Sequence, residues 1–132
     1  MSENPNLELA RRVWQAIAQA DVDTLKELWT EDIVWHVTDQ GSPWTGDHVG
    51  HAAVLDYLAR VGEFGEAYGA QLDDILVSKE RILYVCHVTA QRDENAMDTP
   101  YGFLARISGG RIAEAWSIPL EPEVTRAFYR RG

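Results

Sequence analysis

The chain has 132 residues, 45 % of them apolar, 10 % aromatic, and a formal net charge of −9. That length suits one domain over residues 1–132 with a core of its own, and the acidic balance excludes nucleic acid as the main partner, because phosphate contacts need a Lys/Arg stripe. The single cysteine excludes an intrachain disulfide, and the absence of both a secretory signal and an apolar run near the ~18 residues that span a bilayer predicts a cytoplasmic chain without membrane contact.

Residues 4–20 read as an amphipathic helix. Asn4 caps it, Pro5 takes the first helical position, and Leu7, Ala10, Val13, Trp14 and Ile17 recur at three- and four-residue steps. Asp21 looks like a second cap, opening a short helix through Val22, Leu25, Leu28 and Trp29. The period then falls to two: Ile33, Trp35 and Val37 alternate with Val34, His36 and Thr38, the signature of a strand. A Gly-Ser-Pro loop follows. Gly50 leads into a third helix, with Val54, Tyr57, Leu58 and Val61 on its buried side and Gly62 and Gly65 at its end. Four strand-like stretches come next, at about 68–78, 81–92, 97–107 and 111–119. Asp93, Glu94 and Asn95 mark one turn, and Ser108-Gly109-Gly110 marks a tight hairpin. A last amphipathic piece, 121–131, carries Val124 and Phe128.

Three helices and a strand followed by four strands in antiparallel succession make an α+β domain, with helices held against one face of a curved antiparallel sheet. Such a sheet curls around the helices and can leave a cavity between them. The stretches LWTEDIVWHV, GDHVGHAAVLDYLARV, LVSKERILYVCHVTAQRD and FLARISGGRIAEAW, in this order, resemble the NTF2-like superfamily and, within it, the SnoaL-like and ketosteroid-isomerase-like proteins. The resemblance runs over about residues 6–130. It implies a cone-shaped cavity, commonly a homodimer, and a range of activities from isomerases, dehydratases, cyclases and epoxide hydrolases to members with no chemistry. A shared fold does not transfer a function.

Ketosteroid isomerases set an aspartate base against a tyrosine and a protonated acid that share the oxyanion. By the resemblance, the base falls at His36 or Val37, the tyrosine near Val13 or Trp14, and the acid near Gly102 or Phe103. Neither oxyanion donor is present, and losing one such donor costs ~10²–10³ in rate. Steroid-type isomerisation is therefore not expected.

His36 with Asp39 is the best remaining acid–base pair, since a nearby carboxylate can orient an imidazole and raise its pKa. Dehydratases of the superfamily use a histidine in such cavities, so the resemblance supplies a precedent. Alternation sends His36 outward if Trp35 points in; a strand apolar on both faces leaves that parity open.

His48 and His51 straddle Gly50 without completing a ligand set, which favours a helix-start role for His51 and no metal. Cys86 and His87 face opposite sides of one strand, and a lone mid-strand thiol is usually a small buried hydrophobe. Val13, Trp14, Ile17, Trp35, Trp44, Tyr57, Tyr101, Phe103 and Trp116 come from helices and strands that should converge. They suit the apolar lining of a small-molecule pocket, and equally suit a core, with Trp44 placed to fold over the opening. The expectation is a pocket for a small apolar molecule, with cyclic skeletons among the candidates, needing no cofactor and open to acid–base chemistry. The alternative is a catalytically silent dimerisation or interaction module whose cone is plugged by Trp14, Trp35 and Phe103.

Overall fold

The computed structural model describes residues 4–38, 42–63, 67–92 and 94–130. The chain opens with α1 (Pro5–Ala18) and α2 (Val22–Leu28). The Asn4 side chain accepts from the Asn6 amide at 2.9 Å, and Asp21 accepts from the Thr24 amide and hydroxyl at 3.3 and 2.7 Å, so both helices start where a side-chain oxygen meets an orphan N–H. Asn6 also donates to Ser78 and Lys79 carbonyls at 2.8 and 3.0 Å, tying the start of α1 to a distant turn. Leu9, Ala10, Val13 and Ala16 form the buried stripe of α1.

Strand β1 (Trp29–Val37) begins four residues before the alternation suggests. Trp29 closes α2 with its own amide and is fully buried, so one residue serves both elements. Strand β2 (Gly46–Val49) follows the loop. It is a short, largely exposed edge strand, and its GDHV sequence carries no apolar alternation that would announce it. Then come α3 (Gly50–Glu63), β3 (Ala67–Val77), β4 (Arg81–Arg92), β5 (Asn95–Ser108), β6 (Arg111–Pro119) and α4 (Pro122–Arg130). Gly109 and Gly110, at φ +60° and +77°, make the two-residue β5–β6 turn, a conformation that needs two left-handed residues in succession.

The six strands form one curved, unclosed sheet in the order β2-β1-β6-β5-β4-β3. All neighbours pair antiparallel except β1 and β6, which run parallel. The architecture is the α+β cone expected, with one strand more. The inner face carries Ile33, Trp35, Val37, Ile82, Tyr84 and Ala105, packed against Leu9, Val13, Leu25 and Val54 from the helices. The Tyr84 hydroxyl donates to the Ala10 carbonyl at 2.7 Å and fastens α1 to the sheet. Among the described residues no helix is long and apolar enough to cross a membrane.

Ile33 is fully buried where α2, α3 and the sheet meet. Ile33→Ala should therefore cost about 2–5 kcal/mol, read as a lower urea midpoint at unchanged slope.

Candidate functional site

Inside the cone the polar chemistry gathers on Ser117, a fully buried residue of β6. The Trp35 indole N–H donates to its Oγ at 2.7 Å, and the Tyr57 hydroxyl of α3 lies 3.1 Å from the same oxygen. One small side chain thus ties β1, β6 and α3 together in a low-dielectric interior, where a paired hydroxyl strengthens and an unpaired one is costly. Against the Tyr57 ring lies the imidazole of His48, stacked at 4.7 Å and 21°. Its Nε2 is 2.9 Å from the Trp44 carbonyl; a carbonyl only accepts, so Nε2 carries the proton and Nδ1 is the basic nitrogen in the neutral ring.

The aromatic residues expected to line a pocket mostly converge here. Trp14 stands 5.3 Å from Tyr84 and 6.4 Å from Phe103; Trp35 stands 5.8 Å from Tyr57 and 6.3 Å from Phe103; Tyr101 and Phe103 are 5.1 Å apart. Val13 is buried beside them, and Ile17 and Trp44 pack, partly buried, on the same cluster. Trp116 does not join them. It lies on the outer face, because the β5–β6 ladder shifts register between Ile107↔Ile112 and Arg106↔Glu114, with Ala113 as the extra residue. That bulge reverses the alternation, so Ile112, Ala115 and Ser117 turn inward while Glu114 and Trp116 turn out.

His36 is also on the outer face, since Trp35 points inward. Asp39, its expected partner, lies outside the described residues. The carboxylates that His36 meets are Asp47 on β2, 2.7 Å from Nδ1, and Glu114 on β6, 2.5 Å from Nε2. Arg106 donates to the second oxygen of Glu114 at 3.1 Å, and the Trp116 ring stacks on the imidazole at 5.3 Å and 26°. A carboxylate on each ring nitrogen is satisfied only by the imidazolium. Burial works to lower the His36 pKa, but the hydrogen bonds to and charges of Asp47 and Glu114 outweigh it and raise the value above 6.5. The hydrogen bond from His36, helped by Arg106 and opposed by burial, lowers that of Glu114.

The remaining polar candidates take structural places. His51, in the first turn of α3, donates to the Thr30 carbonyl at 2.9 Å. Cys86 is buried on the inner face with its thiol pushed up to about 12 by burial and the charge of Asp73, as expected of a small hydrophobe. His87, exposed on the outer face, is 2.7 Å from Asp73, whose hydrogen bond raises its pKa. Two polar residues, Ser117 and Thr99, carry no signal in the sequence, and His48 is weighed there only as a metal ligand. The bulge hides the facing of Ser117, and the unannounced β2 that of His48. Thr99, fully buried on β5, has a hydroxyl without a partner among the described residues, a state that costs ~1–3 kcal/mol.

The SnoaL-like domain family matches residues 10–115 of the chain. Among solved structures, Bal32a from a soil-derived mobile gene cassette is 26% identical with a TM-score of 0.86, over 96% of this chain and 97% of that one. An NTF2-like protein from Burkholderia xenovorans LB400 is 19% identical, TM-score 0.82, over 98% of each chain. A protein from Jannaschia sp. CCS1, provisionally named a SnoaL-like polyketide cyclase, is 13% identical, TM-score 0.77, over 98% of this chain and 97% of that one. The fold is therefore the NTF2-like cone. No functionally curated protein matches the chain.

The pKa directions fix a pH window for the outer cluster. The raised value of His36 makes its contribution to stability complete below ~6.5 and lost as pH rises through the folded pKa. The lowered value of Glu114 makes its contribution complete above ~4.5 and lost as pH falls through the folded pKa. Stability from this cluster is therefore greatest between those limits, and His36→Gln should reduce the decline on the alkaline side, leaving the share of His87, whose pKa is also raised, as followed by urea melts from acid to mildly alkaline pH.

Proposed function

The chain belongs to the SnoaL-like domain family, and from that premise we propose that it binds a small, flat, largely apolar molecule, cyclic in skeleton, inside its cone. The observation that carries this reading is the state of Phe103. It sits on the inner face of a central strand, among Trp14, Trp35 and Tyr101, yet stays only half-buried, as does Trp14. Apolar ring surface left open inside a sheet's concave face is what a flat ligand covers. Ser117 and Tyr57 supply the few placed polar groups that orient such a ligand, and the Trp35 N–H, already donated to Ser117 Oγ, holds the serine in place. Acid–base chemistry of isomerase, dehydratase or cyclase type falls to the Tyr57 hydroxyl and to Nδ1 of His48, while His36 serves the outer face.

A second reading, a catalytically silent module, draws on the ring contacts of Trp14 and Trp35 with Phe103, which fill part of the interior. In either case we assign the outer face to a second copy of the chain. A row of residues crosses the sheet there, Leu76–Leu83–Leu104–Trp116–His36–Asp47. Its apolar members are half-buried, with Leu76 50% exposed, and a contiguous apolar patch on a sheet face suits a partner. The single cysteine suits a reducing compartment and supports a cytoplasmic location.

A thermal-shift screen of fused-ring and terpenoid compounds separates the two readings. A ligand at ~100 times its dissociation constant adds ~2.7 kcal/mol, and Tyr57→Phe should weaken binding about tenfold through the lost hydroxyl. A broad library without a hit favours the silent module. Light scattering should find a dimer, and Trp116→Glu should make it monomeric; a monomeric wild type would remove the assignment of the outer face.

A further inference from the structure

The geometry points to a second hydrogen-bonding subsite in the cone, the Thr99 hydroxyl, so that the ligand carries an oxygen at each end. This rests on the reading that the cone binds a flat apolar molecule. Thr99 is fully buried on the inner face of β5, paired with Val88, and its Oγ1 meets no hydrogen-bonding group among the described residues. Its surroundings are apolar: Met97 and Tyr101 flank it on the strand, and Phe128 of α4 packs on the same cluster with Val88 and Cys86. The Cys86 thiol is already committed to the Tyr101 carbonyl at 3.4 Å. Buried hydroxyls are normally paired, and valine fills the same β-branched volume without an unpaired oxygen. A hydroxyl kept there has its partner in a bound molecule.

The register sets the length of that molecule. Thr99 and Phe103 are four residues apart on β5, and Phe103 pairs with Ser117, so the two polar subsites lie ~14 Å apart at ~3.4 Å per residue. Subtracting a hydrogen bond of ~2.8 Å at each end leaves ~8 Å between the ligand's terminal oxygens. That is the span of two or three fused aromatic rings. The wall between the subsites is itself aromatic, with Tyr101 and Phe103 at 5.1 Å and 35° and Trp14 beside Phe103. Phe128 also borders, with Asn95, Ala96 and Val124, a groove of about 460 Å³ between the start of β5 and α4.

The test compares β-naphthol, with one hydroxyl, and amphi-naphthalenediol, with one hydroxyl at each far corner, by calorimetric titration. The wild-type protein should bind the diol about tenfold more tightly, the worth of one added neutral hydrogen bond. Thr99→Val should erase that preference, leave β-naphthol affinity unchanged and melt no lower than wild type; Thr99→Ser should keep the preference. β-Naphthol binding without any preference for the diol, or a preference that survives Thr99→Val, overturns the subsite alone. A lower melting temperature for Thr99→Val also overturns it, because the hydroxyl then serves the protein itself. Binding of neither compound overturns both the subsite and the cone reading.

Discussion

The parallel pairing of β1 with β6 is the constraint on which the rest depends. It joins the first strand of the chain to the last, aligning Trp35 with Ala115, His36 with Trp116 and Val37 with Ser117. Parallel neighbours cannot be joined by a tight turn, so all the chain between them must be accommodated, and it supplies α3 and the remaining strands of the sheet. Once the pair is set, the Trp35 N–H finds Ser117 on one side of the sheet and His36 finds Glu114 on the other. Both polar clusters are consequences of one long-range register.

The sheet then divides its chemistry between two faces. On the inner side, water is largely excluded and polar groups are few, so hydrogen bonds at Ser117 are strong and the unpaired Thr99 hydroxyl is expensive. On the outer side, Asp47, His36, Glu114 and Arg106 form a partly exposed chain of alternating charge, flanked by Trp116 and the apolar row leading to Leu76. Charges are cheap there and screened. The two tryptophans neighbouring His36 in space belong to different worlds: Trp35 is a buried donor, while Trp116 is a half-buried ring stacked on a cation.

Much of the fold was legible because local chemistry specifies it. Asn4 and Asp21 cap helices, Gly109-Gly110 demands a left-handed turn, and Ile33, Trp35 and Val37 alternate as a strand must when one face is buried. The site was less legible. β2 has no apolar pattern and exists because β1 offers it an edge, so His48 was invisible as an inward-facing residue. Trp116 was grouped with the pocket lining because its strand was expected to converge on the cavity, and the bulge at Ala113 turns it outward.

The sequence by itself determined the element order apart from β2, the caps and turns, the α+β class and most of the aromatic set that meets inside the cone, because propensity, capping and periodicity act over a few residues. Tertiary structure alone decided which face His36 took, that Ser117 rather than His36 became the polar centre of the interior, and that Thr99 was left without a partner. The physical reason is that side-chain parity follows from register. A single extra residue in a ladder reverses the facing of all that follow it, and that residue is placed by pairing between strands far apart in the chain.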